Sequence, residues 1–217
     1  MSKETLVCFA VKEEAAPFRK RVGEWPRVRI LVTGMGARNA ERAIREALAV
    51  VKPELVLTCG FAGGLNPELR PNQIVFSAPG SAVEARLLSA GGAPARFHCS
   101  SGVATTANAK QVLRETTRAD AVEMESGIIQ QICDTQQVPC AIVRVILDAA
   151  GQDLPMDFNQ VMTRDQDISF FKLALALVKA PQKIPRLMRF QREAQAAAET
   201  LADFLTRVVS GGGICQK

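Results

Sequence analysis

Acidic side chains follow several apolar runs of this sequence, at the places where buried strands would end. Asp148 directly follows an apolar run over residues 138–147, and Glu13-Glu14 follows the run over residues 6–11. The segment Val122-Glu-Met-Glu125 adds two more carboxylates after a short apolar stretch. Each acid alone fits a solvated loop. Ligands of open parallel sheets bind beyond the carboxyl ends of the strands, so together these acids indicate one site.

Carboxyl groups can cleave the N-glycosidic bond of a purine nucleoside. This reaction needs a proton for the leaving base, shielding of an oxocarbenium-like ribosyl centre and a positioned nucleophile. At the end of an apolar strand, Asp148 is expected to have a raised pKa, which suits an acid that donates a proton near neutral pH. Its alternative role is a helix N-cap. The following Ala-Ala-Gly-Gln is a poor helix start, which favours the catalytic role.

The order of apolar runs and helical periods predicts an α/β protein. Residues 28–33 and 55–58 form runs of strand length, and apolar residues between 39 and 51 recur at a helical spacing. We also expect a strand around residues 83–88 and a helix capped by Asn108. Alternation of strands and helices is typical of a largely parallel sheet. We therefore predict a three-layer fold, with a central mixed, mostly parallel twisted sheet flanked by helices.

Composition limits the classes of protein that this chain can be. It has 217 residues, is 47% hydrophobic and has a mean hydropathy of +0.06, which predicts a single domain over residues 1–209. In this prediction residues 165–209 are a C-terminal helical extension and residues 210–217 a flexible tail. No apolar run approaches the roughly 18 residues of a spanning helix, and no signal segment is evident, so we expect a cytoplasmic protein.

Charge and cysteine content argue against nucleic acid and metal. The net charge is +5 and the pI about 9.0, which would suit a polyanion, but no nucleic-acid-reading motif is present. The chain has one histidine and six cysteines without a C-x-x-C spacing, a composition that disfavours a zinc cluster. We expect no metal, no other cofactor and no nucleic acid partner.

The ordered set of motifs resembles the nucleoside phosphorylase type I superfamily over most of the chain. The resemblance rests on Ala121-Val-Glu-Met-Glu-Ser126 followed by Val143-Arg-Val-Ile-Leu-Asp148, preceded by Gly34-Met-Gly36 and Gly60-Phe-Ala-Gly-Gly-Leu65. Glu13-Glu14 also matches. The pattern is most similar to the methylthioadenosine/S-adenosylhomocysteine nucleosidases and their hopanoid-associated relatives. It implies release of adenine from a 5′-substituted adenosine, and a homodimer or larger homo-oligomer.

The resemblance also implies roles for individual residues. Asp148 would assist protonation of the leaving base, whereas Glu14 and Arg144 would position the attacking water. Met124 and Glu125 would hold the ribose, and Phe158 would cover the ribose and its 5′ substituent, although it could equally anchor the core. The other residues expected to line the substrate site are Glu123, Val103, Ala62 and Phe61.

Hydrolysis and phosphorolysis both remain open from the sequence. Phosphorylases of the superfamily place a phosphate-binding arginine at the position of Thr58, and its absence favours water. Arg38 lies just after the first glycine segment, Gly34-Met-Gly36, where its side chain could bind phosphate. Phosphorolysis therefore remains an alternative. Positions that are polar or aromatic in the nucleosidases are Phe61, Leu147 and Val103 here, which predicts a more apolar site. A non-catalytic nucleoside-binding protein is a further alternative.

The segment from Lys172 to Arg192 combines basic and apolar residues. It has six basic and no acidic side chains, interleaved with leucine, isoleucine, methionine and phenylalanine. This composition suits peripheral contact with a membrane, and it also suits two helices that pack apolar faces on the sheet with lysines in water. The segment resembles the extension of the hopanoid-associated group. The expected substrate of that group is an adenosyl-lipid such as adenosylhopane.

Overall fold

A central sheet of eight strands organises the part of the chain that the computed structural model describes, residues 4–160 and 181–211. The strands are β1 (Thr5–Phe9), β2 (Val28–Val32), β3 (Leu55–Gly64), β4 (Ile74–Ser77), β5 (Ala93–Pro94), β6 (Phe97–Cys99), β7 (Ala121–Glu123) and β8 (Cys140–Asp148). The helices are α1 (Lys12–Val22), α2 (Gly36–Val50), α3 (Ser81–Ser89), α4 (Ala107–Thr117), α5 (Ser126–Thr135) and α6 (Ile184–Ser210). Short 3₁₀ segments cover Phe158–Gln160 and Pro181–Lys183.

The sheet is mixed and mostly parallel, as predicted. Its strand order is β2-β1-β3-β8-β4-β5, with β7 paired to the end of β3 and β6 paired to β7. Only β4–β8 and β3–β7 are antiparallel among the described pairs. The long strands β3 and β8 lie side by side in the middle, and their carboxyl ends meet at one edge. The predicted fold class is therefore confirmed.

Alternating side chains of the strands build one apolar layer on each face of the sheet. Val7 and Phe9 of β1 pack with α1 and α6, whereas Leu6 and Cys8 pack with α2 and α5. Helix α6 contributes a continuous apolar stripe to the first layer, formed by Ala197, Leu201, Ala202, Phe204, Leu205 and Val208. Full burial of each large side chain is worth about 1.5–3 kcal/mol, so both layers hold the sheet firmly.

Three local predictions differ from the structure. Residues 83–88, expected as a strand, lie within helix α3. The strand predicted over residues 55–58 is longer, because β3 continues through the glycine-rich motif to Gly64 and pairs there with β8 and β7. Helix α4 is capped by Thr106, whose hydroxyl accepts from the Ala109 amide at 3.2 Å, rather than by Asn108. Glu13 and Glu14 follow β1, as predicted, and lie in the first turn of helix α1, where the positive end of the helix dipole stabilises acidic side chains.

The described helices give no membrane-spanning candidate, because none of them combines the necessary length and apolar character. The predicted extension is described from residue 181 onward. Residues 172–180 of the basic segment and residues 212–217 of the predicted tail lie outside the described residues.

Candidate active site

Asp148 ends strand β8 beside a β-bulge. The pairing of β3 with β8 advances from Ala62–Ile146 to Gly63–Asp148, so Leu147 is an extra residue. Bulges re-aim side chains next to functional sites. Here the carboxyl group of Asp148 meets Gly63, where a Cβ would lie 3.5 and 3.7 Å from its two oxygens. The bulge and the missing side chain together place the carboxyl against the backbone of β3.

Lys110 of helix α4 is the charged partner of Asp148. Its side chain is fully buried, and its Nζ contacts Asp148 Oδ2 and donates to the carbonyl oxygens of Ala149 at 2.8 Å and Gln152 at 2.7 Å. Burial raises the pKa of Asp148, and the ammonium group of Lys110 partly offsets this rise. Sequence reasoning missed Lys110, because lysine on a helix usually faces solvent. The available signal was that Lys110 lies three residues before the half-buried Leu113, a spacing that puts both side chains on the same face of the helix.

Glu14 lies in the first turn of α1, buried against the middle of β3. Its Oε1 accepts from the Phe61 amide at 3.0 Å, and its Oε2 accepts from the amides of Ala10 and Val11 at 3.2 and 3.4 Å. A Cβ at Gly60 would come within 2.9 Å of Oε1. Burial raises the pKa of Glu14 to about 7, with the amide of Phe61 opposing the rise. A carboxylate with this pKa can accept a proton from water near neutral pH.

Glu123 and Arg144 form a fully buried ion pair. Arg144 Nη2 donates to Glu123 Oε2 at 2.6 Å and to Thr58 Oγ1 at 3.1 Å, and Nη1 donates to the carbonyl of Thr58 at 2.6 Å. Ser126 adds donors to Glu123 from its amide, at 2.9 Å, and its hydroxyl. Burial pushes the pKa of Glu123 up, but Arg144 and Ser126 outweigh it and leave this pKa lowered. Glu123 is therefore ionised.

The predicted pairing of Glu14 with Arg144 is not made among the described contacts. The hydrogen bonds of Glu14 come from backbone amides, whereas the guanidinium of Arg144 is committed to Glu123 and Thr58. The buried Arg144 Nε has no hydrogen-bond partner in the structure. Arg144 still acts on Glu14 through its charge, which lowers the pKa of that carboxyl. A role of this pair in holding water remains a prediction.

Glu125 is hydrogen-bonded to the first glycine segment, Gly34-Met-Gly36. Its Oε1 accepts from the amide of Gly36 at 2.8 Å, the first residue of helix α2. Burial raises the pKa of Glu125, and Arg144 opposes this rise. Met124, next to it, is half-buried. A carboxylate here could accept hydrogen bonds from ribose hydroxyls, as the resemblance implies.

The apolar residues predicted for the site fall into two groups. Phe61 is half-buried and packs against the core under α1 and α6, while Ala62 packs with Ile146 in a small core cluster. Both can meet a ligand mainly through their backbone. Val103 precedes α4, and Phe158 begins the 3₁₀ segment that follows β8. Their role as a wall of the substrate pocket remains a prediction.

Asn159 links the segment that contains Phe158 to the loop that contains Val103 through hydrogen bonds. Its side chain accepts from the Val103 amide and donates to the Val103 carbonyl, both at 2.9 Å. The Leu154 amide donates to the Thr105 carbonyl at 2.9 Å. The ring of Phe158 in turn packs on Phe190 of α6, with ring centroids 5.5 Å apart. The loop that follows Asp148 is thus anchored to both α4 and α6.

Comparisons with known proteins agree with this architecture. The model of the family "Phosphorylase superfamily" matches residues 7–78 and 94–210. An aminodeoxyfutalosine nucleosidase of Campylobacter jejuni is 38% identical over 60 residues, which are 28% of this chain and 26% of that relative. A 5′-methylthioadenosine/S-adenosylhomocysteine nucleosidase of Anoxybacillus flavithermus is 26% identical over 172 residues, 62% of this chain and 73% of the relative.

A solved structure shows the same fold at low identity. It is a 5′-methylthioadenosine/S-adenosylhomocysteine nucleosidase of Colwellia psychrerythraea in complex with adenine. The TM-score is 0.73 and the identity 15%, with 97% of this chain and 96% of that chain covered. At this identity the likeness establishes the fold.

Proposed function

We propose that this chain, which belongs to the phosphorylase superfamily, hydrolyses the N-glycosidic bond of a 5′-substituted adenosine and releases adenine. The observation that carries the proposal is the placement of two buried carboxyl groups, Glu14 and Asp148, along the glycine-rich half of β3. Glu14 lies against Gly60 and Asp148 against Gly63. The two glycines are three residues apart, roughly 10 Å along a strand, so both carboxyl groups lie along one stretch of β3.

The two carboxyl groups suit opposite proton transfers. Asp148, whose pKa burial raises, donates a proton to the leaving base. Glu14, whose pKa is about 7, accepts a proton from the attacking water when it is ionised. Glu125 and Met124 hold the ribose, and the negative charges of Glu14 and Glu125 stabilise the oxocarbenium-like centre.

Two features favour water over phosphate as the nucleophile. Thr58, at the position of the phosphate-binding arginine of phosphorylases, is buried and accepts hydrogen bonds from Arg144. The amide of Gly36, at the N-terminus of α2 where an anion could bind, already donates to Glu125. Arg38 is exposed on α2. Phosphorolysis therefore remains the second candidate.

The assay that separates these functions measures adenine release from a panel of 5′-substituted adenosines in phosphate-free buffer. Hydrolysis gives adenine and the free sugar without phosphate. A requirement for phosphate, with ribose 1-phosphate as product, would overturn the hydrolase proposal. The variant D148N is expected to lose about 10²–10⁴-fold in kcat. Binding without base release from any nucleoside would favour a non-catalytic binding protein.

We further propose that the 5′ substituent is lipid-like, as in an adenosyl-lipid such as adenosylhopane of hopanoid biosynthesis. The apolar Val103 supports an apolar pocket wall, whereas Phe61 and Leu147 pack against the core under α1 and α6. The start of α6 exposes Ile184 and Met188, 41% and 58% accessible. Basic side chains surround them, namely Lys183, Arg186, Arg189 and Arg192, all exposed.

This helix start touches the site through the contact of Phe190 with Phe158. This contact supports the proposal that the start of α6 brings a membrane-borne substrate to the site. Co-sedimentation with vesicles of anionic and of neutral lipid tests the membrane contact. Equal recovery in the supernatant with both vesicle types would refute it. We also propose a homodimer or larger homo-oligomer, as the resemblance implies, which sedimentation velocity tests.

A further inference from the structure

The ammonium group of Lys110 lies close to three oxygen atoms, two as hydrogen-bond acceptors and one as an ion-pair partner. These are the carboxylate of Asp148 and the carbonyl oxygens of Ala149 and Gln152. A lysine ammonium has three donors and no acceptor; two of them are committed to the carbonyls, and the ammonium meets Asp148 Oδ2 as an ion pair. The side chain has no exposed surface, and water therefore cannot replace any partner. Both carbonyls belong to the loop directly after Asp148, which fixes the ammonium relative to the carboxyl group.

Lys110 contacts one carboxyl oxygen of Asp148 and leaves the other without a charged partner. The contact is with Oδ2, and Oδ1 has no ion pair among the described residues. An oxygen that faces an ammonium donor must present a lone pair to it. A proton on the carboxyl group is therefore favoured on Oδ1.

We propose that Lys110 is a positioning residue for the catalytic acid, because its ammonium keeps the transferable proton of Asp148 on Oδ1 and stabilises the carboxylate that remains after transfer. This inference rests on the proposed function. In the step, the Oδ1–H bond breaks and an N–H bond forms on the leaving base. The N-glycosidic bond breaks, and its electron pair goes to the base. Lys110 keeps its three hydrogens throughout.

The other elements around Asp148 bring no competing charge to it. Strand β3 presents Gly63 and Gly64, and β7 presents the apolar Val122 beside Gly63. The carboxylate of Glu123 on β7 and the guanidinium of Arg144 on β8 are paired with each other. The carboxylates of Glu14 and Glu125 are held by backbone amides. Lys110 is therefore the one described side chain in ionic contact with the acid.

Burial and Lys110 act in opposite directions on Asp148. Burial raises the pKa of the carboxyl group, and the ammonium lowers it. The balance leaves the pKa of Asp148 above its ordinary value. Without the ammonium, the proton would be held more tightly and the acid would be weaker.

The variant K110M tests the proposal against R114M as a matched control. Arg114 lies on the same helix and donates to Asp120 at 2.7 Å and to the carbonyls of Ala119 and Arg118, away from Asp148. We expect kcat of K110M to fall by at least about tenfold with KM changed less than about threefold. The limb of the pH–kcat profile that reports Asp148 should move up by about one to three pH units. R114M should change neither.

A titration that needs no substrate separates this proposal from the proposed function. The carboxylic acid band of Asp148 is identified by infrared difference spectroscopy as the band that D148N lacks. Its titration midpoint should rise in K110M. If K110M does not fold, K110Q replaces it, because its amide keeps two donors for the carbonyls without the charge. An unchanged midpoint in the folded variant overturns the role of Lys110. An inactive wild-type protein with a shifted variant midpoint overturns the proposed function alone.

Discussion

Replacing Glu14 with glutamine should change how the stability of the fold depends on pH. Burial raises the pKa of Glu14 from its ordinary value of 4.5 to about 7, so between these values the folded state holds a proton that the unfolded chain releases. Stability must therefore fall as the pH rises through this window and level off above it. A difference of about 2.5 pH units corresponds to about 3 kcal/mol, at 1.36 kcal/mol per unit.

Urea unfolding, followed by the fluorescence of the single tryptophan, measures this effect. Trp25 is partly buried against the core and should report global unfolding. Between pH 4.5 and 8.5 the wild type should lose about 3 kcal/mol more stability than E14Q. In E14Q the side-chain amide faces the backbone donors of Phe61, Ala10 and Val11, which lowers the stability of the variant. This loss does not depend on pH, so it cancels when the change in unfolding free energy between the two pH values is compared.

The exposed neighbour Glu13 provides the control, because E13Q should follow the wild-type curve. Parallel curves for the wild type and E14Q would refute the assignment of a raised pKa to Glu14. The same ionisation should govern catalysis. Activity should increase as the pH rises through about 7, because the ionised form accepts the proton of water, and E14Q should lack this limb.

Two further variants probe the surroundings of the carboxyl groups. G60A should lower kcat for adenine release about 10²-fold, because its Cβ would lie 2.9 Å from Glu14 Oε1 and displace it. G80A, with no atom within 4 Å of its Cβ, should be unaffected, and equal losses in both would count against the explanation. R144M should destabilise the fold by about 3–5 kcal/mol in urea, because Glu123 is left buried without its cation. The double variant with E123Q should recover most of this loss, and a deficit that persists there would contradict the pairing argument.

The middle of the sheet was predictable because its strands are buried on both faces. Such strands appear in the sequence as continuous apolar runs, and the residue after each run falls at the edge where ligands bind. This logic placed Asp148 correctly at the end of β8. It did not reveal the bulge at Leu147 that turns the carboxyl towards Gly63, since a bulge depends on the pairing of two strands and not on one run.

Short segments were harder to predict because several structures fit them. Val83, Leu87 and Leu88 satisfy both a strand and one face of a helix, and the structure uses the helical spacing of Val83 and Leu87. The glycines after Thr58 resemble a loop because glycine disfavours strands. Pairing with β8 and β7 on either side overrides this preference.

The partners of buried charges were not visible in the sequence. Arg144 could have paired with any of the nearby carboxylates, and only the packing of β7 beside β3 brings Glu123 to it. From the sequence alone, Lys110 is indistinguishable from a surface lysine. Only the fold shows that α4 packs on the loop after Asp148 and buries this side chain. Interactions between elements distant in the chain leave no periodic signal, so they require the fold.

The donors that position Glu14 and Glu125 are main-chain amides, those of Phe61 and Gly36. Every amino acid except proline supplies such an amide, so mutation of a side chain does not remove it. Substitution of Phe61 therefore changes the packing against the core but leaves this donor in place. The hydrogen bonds that position the two carboxylates can thus persist while the surrounding side chains diverge along a lineage.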